Sequence, residues 1–142
     1  MSDYEFKPIT YFEPGDRIYA QAQQAWVILT GVVTAHQMGY SNLGQPLVTY
    51  GDLAEAMGKG RQAGRTLTRQ LWMIGEYCKF NGLPTLNSIV VNQETGLPGH
   101  DVVLNSGNDA QTEMRNVGRY RWSMLRPPSI ATFRDVWEQI NE

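Results

Sequence analysis

Between the glycine break GKG at 58–60 and the stop NGLP at 81–84 lies RQAGRTLTRQLWMIGEYCKF, twenty residues without a proline. At about 100° per residue, with Arg61 at the origin, Arg65 falls near 40°, Arg69 near 80°, Trp72 near 20° and Lys79 near 0°. Thr68 lies just behind the origin, at about 340° on the same wheel. Leu67, Leu71, Ile74 and Cys78 gather between about 220° and 280°. This predicts a two-faced helix from about Arg61 to Phe80, ended by an Asn81-Gly82 C-cap and by Pro84, which cannot continue it. One face is a core stripe. The other carries three arginines, a lysine, a threonine and a tryptophan.

The flanking segments build on that helix. Residues 1–14 read as an arm or edge strand closed by Glu13-Pro14-Gly15, and Asp16 as the N-cap of a helix reaching about His36. Ile18, Ala22, Ala25, Leu29, Val32 and Val33 give that helix its apolar stripe. MGYSNLGQP at 38–46 is a loop, and Thr49 caps a short helix containing Leu53, Ala54 and Met57. LNSIVVN at 86–92 alternates and is β-branched, which predicts a strand; DVVLN at 101–105 is a candidate partner across the turn QETGLPG. SGND at 106–109 leads a helix over 110–121, RPPS stops the chain at 126–129, and Ser129 caps a last helix. Two helices, a short turn and a β-hairpin form a mainly α domain of winged helix-turn-helix type, in which the second helix enters a DNA groove. Residues 1–142 are read as one domain, with a winged-helix core over 17–99 and a helical extension over 100–142.

Charge is uneven. The net charge is −2, yet of the 12 Lys and Arg, five lie between 59 and 79, where only Glu76 is acidic. Four more, Arg115, Arg119, Arg121 and Arg126, lie in a span without an acid. Local patches rather than total charge set the footprint for a polyanion. A charged stripe is ordinarily a solvated face, but solvated helices mix signs to form i,i+4 pairs, and this one does not.

The sequence offers little for catalysis. A single cysteine excludes an internal disulfide and a Cys-rich zinc site, and two histidines, His36 and His100, add no metal-ligand spacing. His100 beside Asp101 would sit on opposite faces of a strand, so the pair is poorly placed for general-base work. GKGRQAGR lacks the phosphate-loop pattern. No catalytic residue, metal or cofactor is expected. The longest apolar run, AWVIL at 25–29, is far too short to span a bilayer, and MSDYEFKPIT has no signal-peptide pattern, so a cytoplasmic location without membrane contact is expected.

Three segments in order, GQPLVTYGDLAEAMG, RQAGRTL and NGLPTLNSIVVNQETGLPG, resemble the C-terminal winged-helix domain of alkylguanine-DNA alkyltransferases and the related non-enzymatic alkyltransferase-like proteins. The resemblance covers roughly 17–99. It implies that Tyr50 presses on a DNA phosphate beside a flipped nucleotide and that Arg61 is a finger entering the duplex. It also implies that Gly64 lets the helix come close to the backbone and that Val90 and Val91 follow the active-site loop. The Pro-Cys-His-Arg stretch of the enzymes is replaced here by Leu86, Asn87, Ser88 and Ile89. Alkyl transfer needs an activated thiolate, and Cys78 lies on the apolar stripe.

The expected function is that of a non-enzymatic DNA-binding protein recognising distorted or modified duplex DNA. Its contacts are Tyr50, Arg61, Arg65, Thr68, Arg69 and Trp72, with a secondary basic patch at Arg119, Arg121 and Arg126. Aromatic residues of the C-terminal segment, Trp122, Phe133 and Trp137, read as core. Two other readings stand beside it. One is a module of a phage or bacterial defence or anti-defence system that grips a protein partner with the same helices. The other is a nucleic-acid enzyme with a non-obvious site near Asn87, Ser88 and His100.

Overall fold

The computed structural model describes residues 8–41 and 44–141. The fold is mainly helical with a small two-stranded sheet. In chain order the elements are α1 (Arg17–Gln37), β1 (Val48–Thr49), α2 (Tyr50–Ala56), α3 (Thr68–Phe80), β2 (Val90–Val91), α4 (Ala110–Arg119) and α5 (Ile130–Ile140). Short 3-10 turns occupy Pro14–Asp16, Arg61–Leu67, Leu86–Ile89 and Trp122–Met124.

Local chemistry sets most helix boundaries. The hydroxyl of Thr49 accepts from the Asp52 N–H, the carboxylate of Asp109 from the Thr112 N–H, and the hydroxyl of Ser129 from the Thr132 N–H. Each satisfies a donor that the first helical turn leaves open. α3 ends where Gly82 takes a positive φ of 66° and the Leu83 N–H returns to the Cys78 carbonyl. Asp16 departs from this pattern. Its side chain does not cap α1 but reaches Arg134 of α5, at 2.6 and 3.2 Å.

One hydrophobic core joins α1, α2, α3 and α5 through Trp26, Leu29, Leu53, Leu67, Ile74 and Phe133. Trp122 and Val136 of the C-terminal segment belong to it as well, and Trp137 packs against it. Trp26 meets Tyr77 and Trp122 edge-on, each at 5.5 Å between ring centroids. Such a pair contributes about 0.5–1.5 kcal/mol beyond its buried area.

Several sequence expectations are corrected. The helix expected over 61–80 is α only from Thr68; Arg61–Leu67 is wound as 3-10. Gly64 explains why: a Cβ there would stand 2.8 Å from the backbone of Tyr50, so this turn presses directly onto the start of α2. Thr66 adds to it by donating to the Ala63 carbonyl at 2.6 Å, a local bond that competes with the α ladder. The expected strand 86–92 shrinks to Val90–Val91, preceded by a buried 3-10 turn. The hairpin does not form: β2 pairs in parallel with β1, Val48 opposite Val90 and Thr49 opposite Val91, while 101–105 carries no strand. The arm or edge strand expected over 1–14 falls partly outside the described residues; over 8–13 the chain carries no strand, which leaves the arm. α4 stops at Arg119 rather than 121.

Candidate nucleic-acid interface

α3 stands with its inner face in the core and its outer face in water. Leu67, Leu71, Met73, Ile74 and Cys78 are buried, and Gln70 among them reaches the Gln21 amide of α1 at 2.7 Å. Burial pushes the Cys78 thiol from its ordinary 9.0 up to about 12. It is therefore neutral and inaccessible at physiological pH, as expected of a structural cysteine. On the outer face Arg65, Thr68 and Arg69 are exposed and Trp72 is 37% exposed. Spacings of three and four residues place all four side by side. Neither Arg65 nor Arg69 is in an ion pair among the described residues.

Arg61 does not belong to this stripe. At about 120° per residue, the 3-10 winding carries it roughly 120° away from Arg65. Its Nη1 lies 2.5 Å from Asp52 Oδ1 and 2.7 Å from Glu55 Oε2, both on α2. The two carboxylates hold the guanidinium above its usual range, and the bond to Arg61 is the main reason that Asp52 titrates below its own. Gly51 leaves the room: a Cβ there would sit 3.2 Å from the guanidinium. Glu76 is thus not the only acid acting on the arginines, because two more arrive from the preceding helix.

Tyr50 is half-buried, and its hydroxyl accepts the Gly99 N–H at 3.0 Å. Its O–H remains able to donate. With Trp72, Asn87, Asp101 and Val102 it lines a cavity of about 30 Å³. That is room for a water-sized group and no room for a nucleobase. Asn87 is buried, donates to the Val103 carbonyl at 3.1 Å and leaves its Oδ1 without a partner among the described residues. A Cβ on Gly75 would meet Asn87 and Val103 at 2.9 and 2.7 Å, so α3 presses on this wall as closely as a glycine allows. Ser88 is fully buried, whereas His100 is exposed. The residues considered for a hidden catalytic site therefore share no open surface. No family model, curated protein or solved structure matches this chain.

One residue missed by sequence reading organises the wall. Glu113 of α4 is completely buried. Its Oε2 accepts the Thr85 N–H at 3.2 Å and its Oε1 the Asn105 N–H at 2.9 Å. Asn105 in turn donates to the Leu83 carbonyl at 2.9 Å. One carboxylate thus ties the start of the 86–89 turn to the end of the 101–105 segment. Glu113 stands one residue past the capping-box position set by Asp109, and nothing local shows that it points inward.

The secondary basic patch lies elsewhere. Gln37 Nε2 donates to the carbonyls of Gly118 and Tyr120 at 3.0 and 2.9 Å, and Gln23 Nε2 to Pro128 at 3.1 Å. Residues 118–128 therefore form a strap along α1. Arg119, Arg121 and Arg126 on this strap are exposed and in no ion pair among the described residues. No described helix is long and apolar enough to cross a membrane, and no described group of three His, Cys, Asp or Glu could hold a metal ion.

Proposed function

We propose that this chain is a non-enzymatic duplex-DNA-binding protein that uses α2 and α3 as a helix-turn-helix. The observation carrying the reading is the outer face of α3. There Thr68, Arg69 and Trp72 stand beside Arg65 of the preceding 3-10 turn, and among the described residues no carboxylate pairs with either arginine. Guanidinium groups in that arrangement suit phosphates and guanine edges, and a half-exposed indole adds an apolar contact. Tyr50 supports the same face with a hydroxyl that accepts from Gly99 and, among the described residues, donates to no acceptor.

Preference for distorted or modified duplex is assigned to Arg61. In the free protein it is engaged by Asp52 and Glu55. A site with an opened or bent step offers phosphates and base edges that compete for the guanidinium, whereas regular duplex does not reward its release. Beside Tyr50 and Arg61 an open hollow of about 290 Å³, lined also by Gln62, Val91 and Gln93, gives a disturbed step room to approach the guanidinium.

Fluorescence anisotropy with labelled regular duplex, mismatch-containing duplex and single strand, across a salt series, tests the proposal. Binding to duplex that weakens steeply with salt and favours the mismatch is expected. Equal binding to single strand, or no binding at low salt, overturns it.

A further inference from the structure

The strap 118–128 and α1 enclose an open groove of about 450 Å³, and nothing in the DNA-binding reading uses it. Its floor is apolar: Trp26, Val27, Ala35, Met38, Trp122 and Leu125 line it. Large apolar groups around it remain in water, Val27 at 52%, Met38 at 63%, Tyr40 at 77% and Met124 at 74% exposure. Contiguous exposed apolar surface of this kind marks a contact site.

Charge identifies the occupant. Residues 17–51 and 114–134, which supply both walls, contain neither Asp nor Glu. Arg121 directly precedes the lining residue Trp122, and Arg126 lies between the lining residues Leu125 and Pro127. Arg119 sits where Gln37 holds the strap to the end of α1. All three arginines are exposed without a described ion pair. From Trp26 to Met38, which line it, the chain advances about 18 Å at ~1.5 Å per residue, roughly three helical turns. We infer that this groove docks an acidic amphipathic helix of a partner protein, with apolar anchors on the floor and carboxylates against Arg119, Arg121 and Arg126. Helix-in-groove recognition uses anchors at i, i+3, i+4 and i+7, which a groove of this length accommodates.

The inference does not depend on DNA binding and is tested separately. The probes are two displayed libraries of helical peptides with the same apolar seam, one flanked by glutamates and the other by lysines. The full chain is expected to select binders from the glutamate library alone. Their binding should fall at least tenfold with Arg121→Glu/Arg126→Glu and be lost with Val27→Asp. Val27 is half exposed, so that variant should retain the parent's circular dichroism melt. The charge-reversed chain should now select from the lysine library. The inference is overturned if neither library yields binders, if both do equally, or if binding ignores Val27→Asp. It is also overturned if sedimentation shows a second copy of the chain filling the groove, with Val27→Asp restoring the monomer.

Discussion

The chain carries two arginine-rich surfaces that look alike as sequence and differ as structure. The one on α3 is exposed and polar, and it stands directly on the core through Leu67, Leu71 and Ile74. The one on the 118–128 strap alternates in sequence with residues that line an apolar groove and is anchored to the core chiefly by Trp122, whose indole N–H donates to the Val117 carbonyl at 2.9 Å. Like charge on different ground selects different partners. Phosphates, spaced along a polar rod, suit the exposed polar face; a carboxylate-bearing apolar helix suits the groove.

The separate foundations give the largest expected effect. Trp122→Ala should cost about 3–5 kcal/mol in urea denaturation. At low temperature, where the variant is still folded, peptide docking should be lost while duplex affinity stays near the parent's. If duplex binding falls in step, the two surfaces are one cooperative unit. Leu67→Ala is the mirror experiment and should cost about 2–5 kcal/mol. In its folded fraction duplex binding should suffer more than docking.

Alkaline pH sharpens the contrast on the α3 side. The folded chain holds the Cys78 proton up to about 12 while an unfolded thiol releases it from 9.0, so the folded state binds more protons across that window. Stability is then unaffected below pH 9 and declines as pH rises above it, by up to about 1.4 kcal/mol per unit. Tyr77, whose pKa burial also raises, adds in the same direction at higher pH. Cys78→Ala should flatten the decline between pH 9 and 11 in chemical denaturation; an unchanged slope would contradict the buried-thiol account.

The smallest effect concerns Arg61. Asp52→Asn/Glu55→Gln should raise affinity for mismatched duplex a few-fold. Removing two negative charges helps any DNA contact, so the informative quantity is the difference between Arg61 and Arg61→Ala backgrounds. A gain of equal size in both would show that release of Arg61 plays no part.

Much of the fold was legible because it is written locally. Thr49, Asp109 and Ser129 cap helices within three residues of themselves, and Gly82 ends α3 through its own positive φ. The buried stripe Leu67, Leu71, Ile74 and Cys78 follows from spacing alone. What was misread depends on residues far apart in the chain. The parallel pairing of Val48 with Val90 replaces a hairpin because β1 lies beside 90–91, which no local pattern announces. Arg61 was grouped with Arg65 because α and 3-10 windings share the same propensities. Only the approach of Gly64 to Tyr50 separates them. Glu113 read as a surface acid because its partners, Thr85 and Asn105, come from segments without regular structure. Of the interface, Arg65, Thr68, Arg69 and Trp72 were legible as one exposed group, whereas the clasp on Arg61 and the groove along α1 were not.

The salt dependence of duplex binding in two variants tests the division of labour most directly. Each phosphate contact contributes about −0.9 to the slope of log Kobs against log salt. Arg65→Ala/Arg69→Ala should flatten the slope by about 1.8, and Arg119→Ala/Arg121→Ala/Arg126→Ala should leave it at the parent's value. A parental slope in the first variant and a reduced one in the second would place the DNA on the strap and contradict the account.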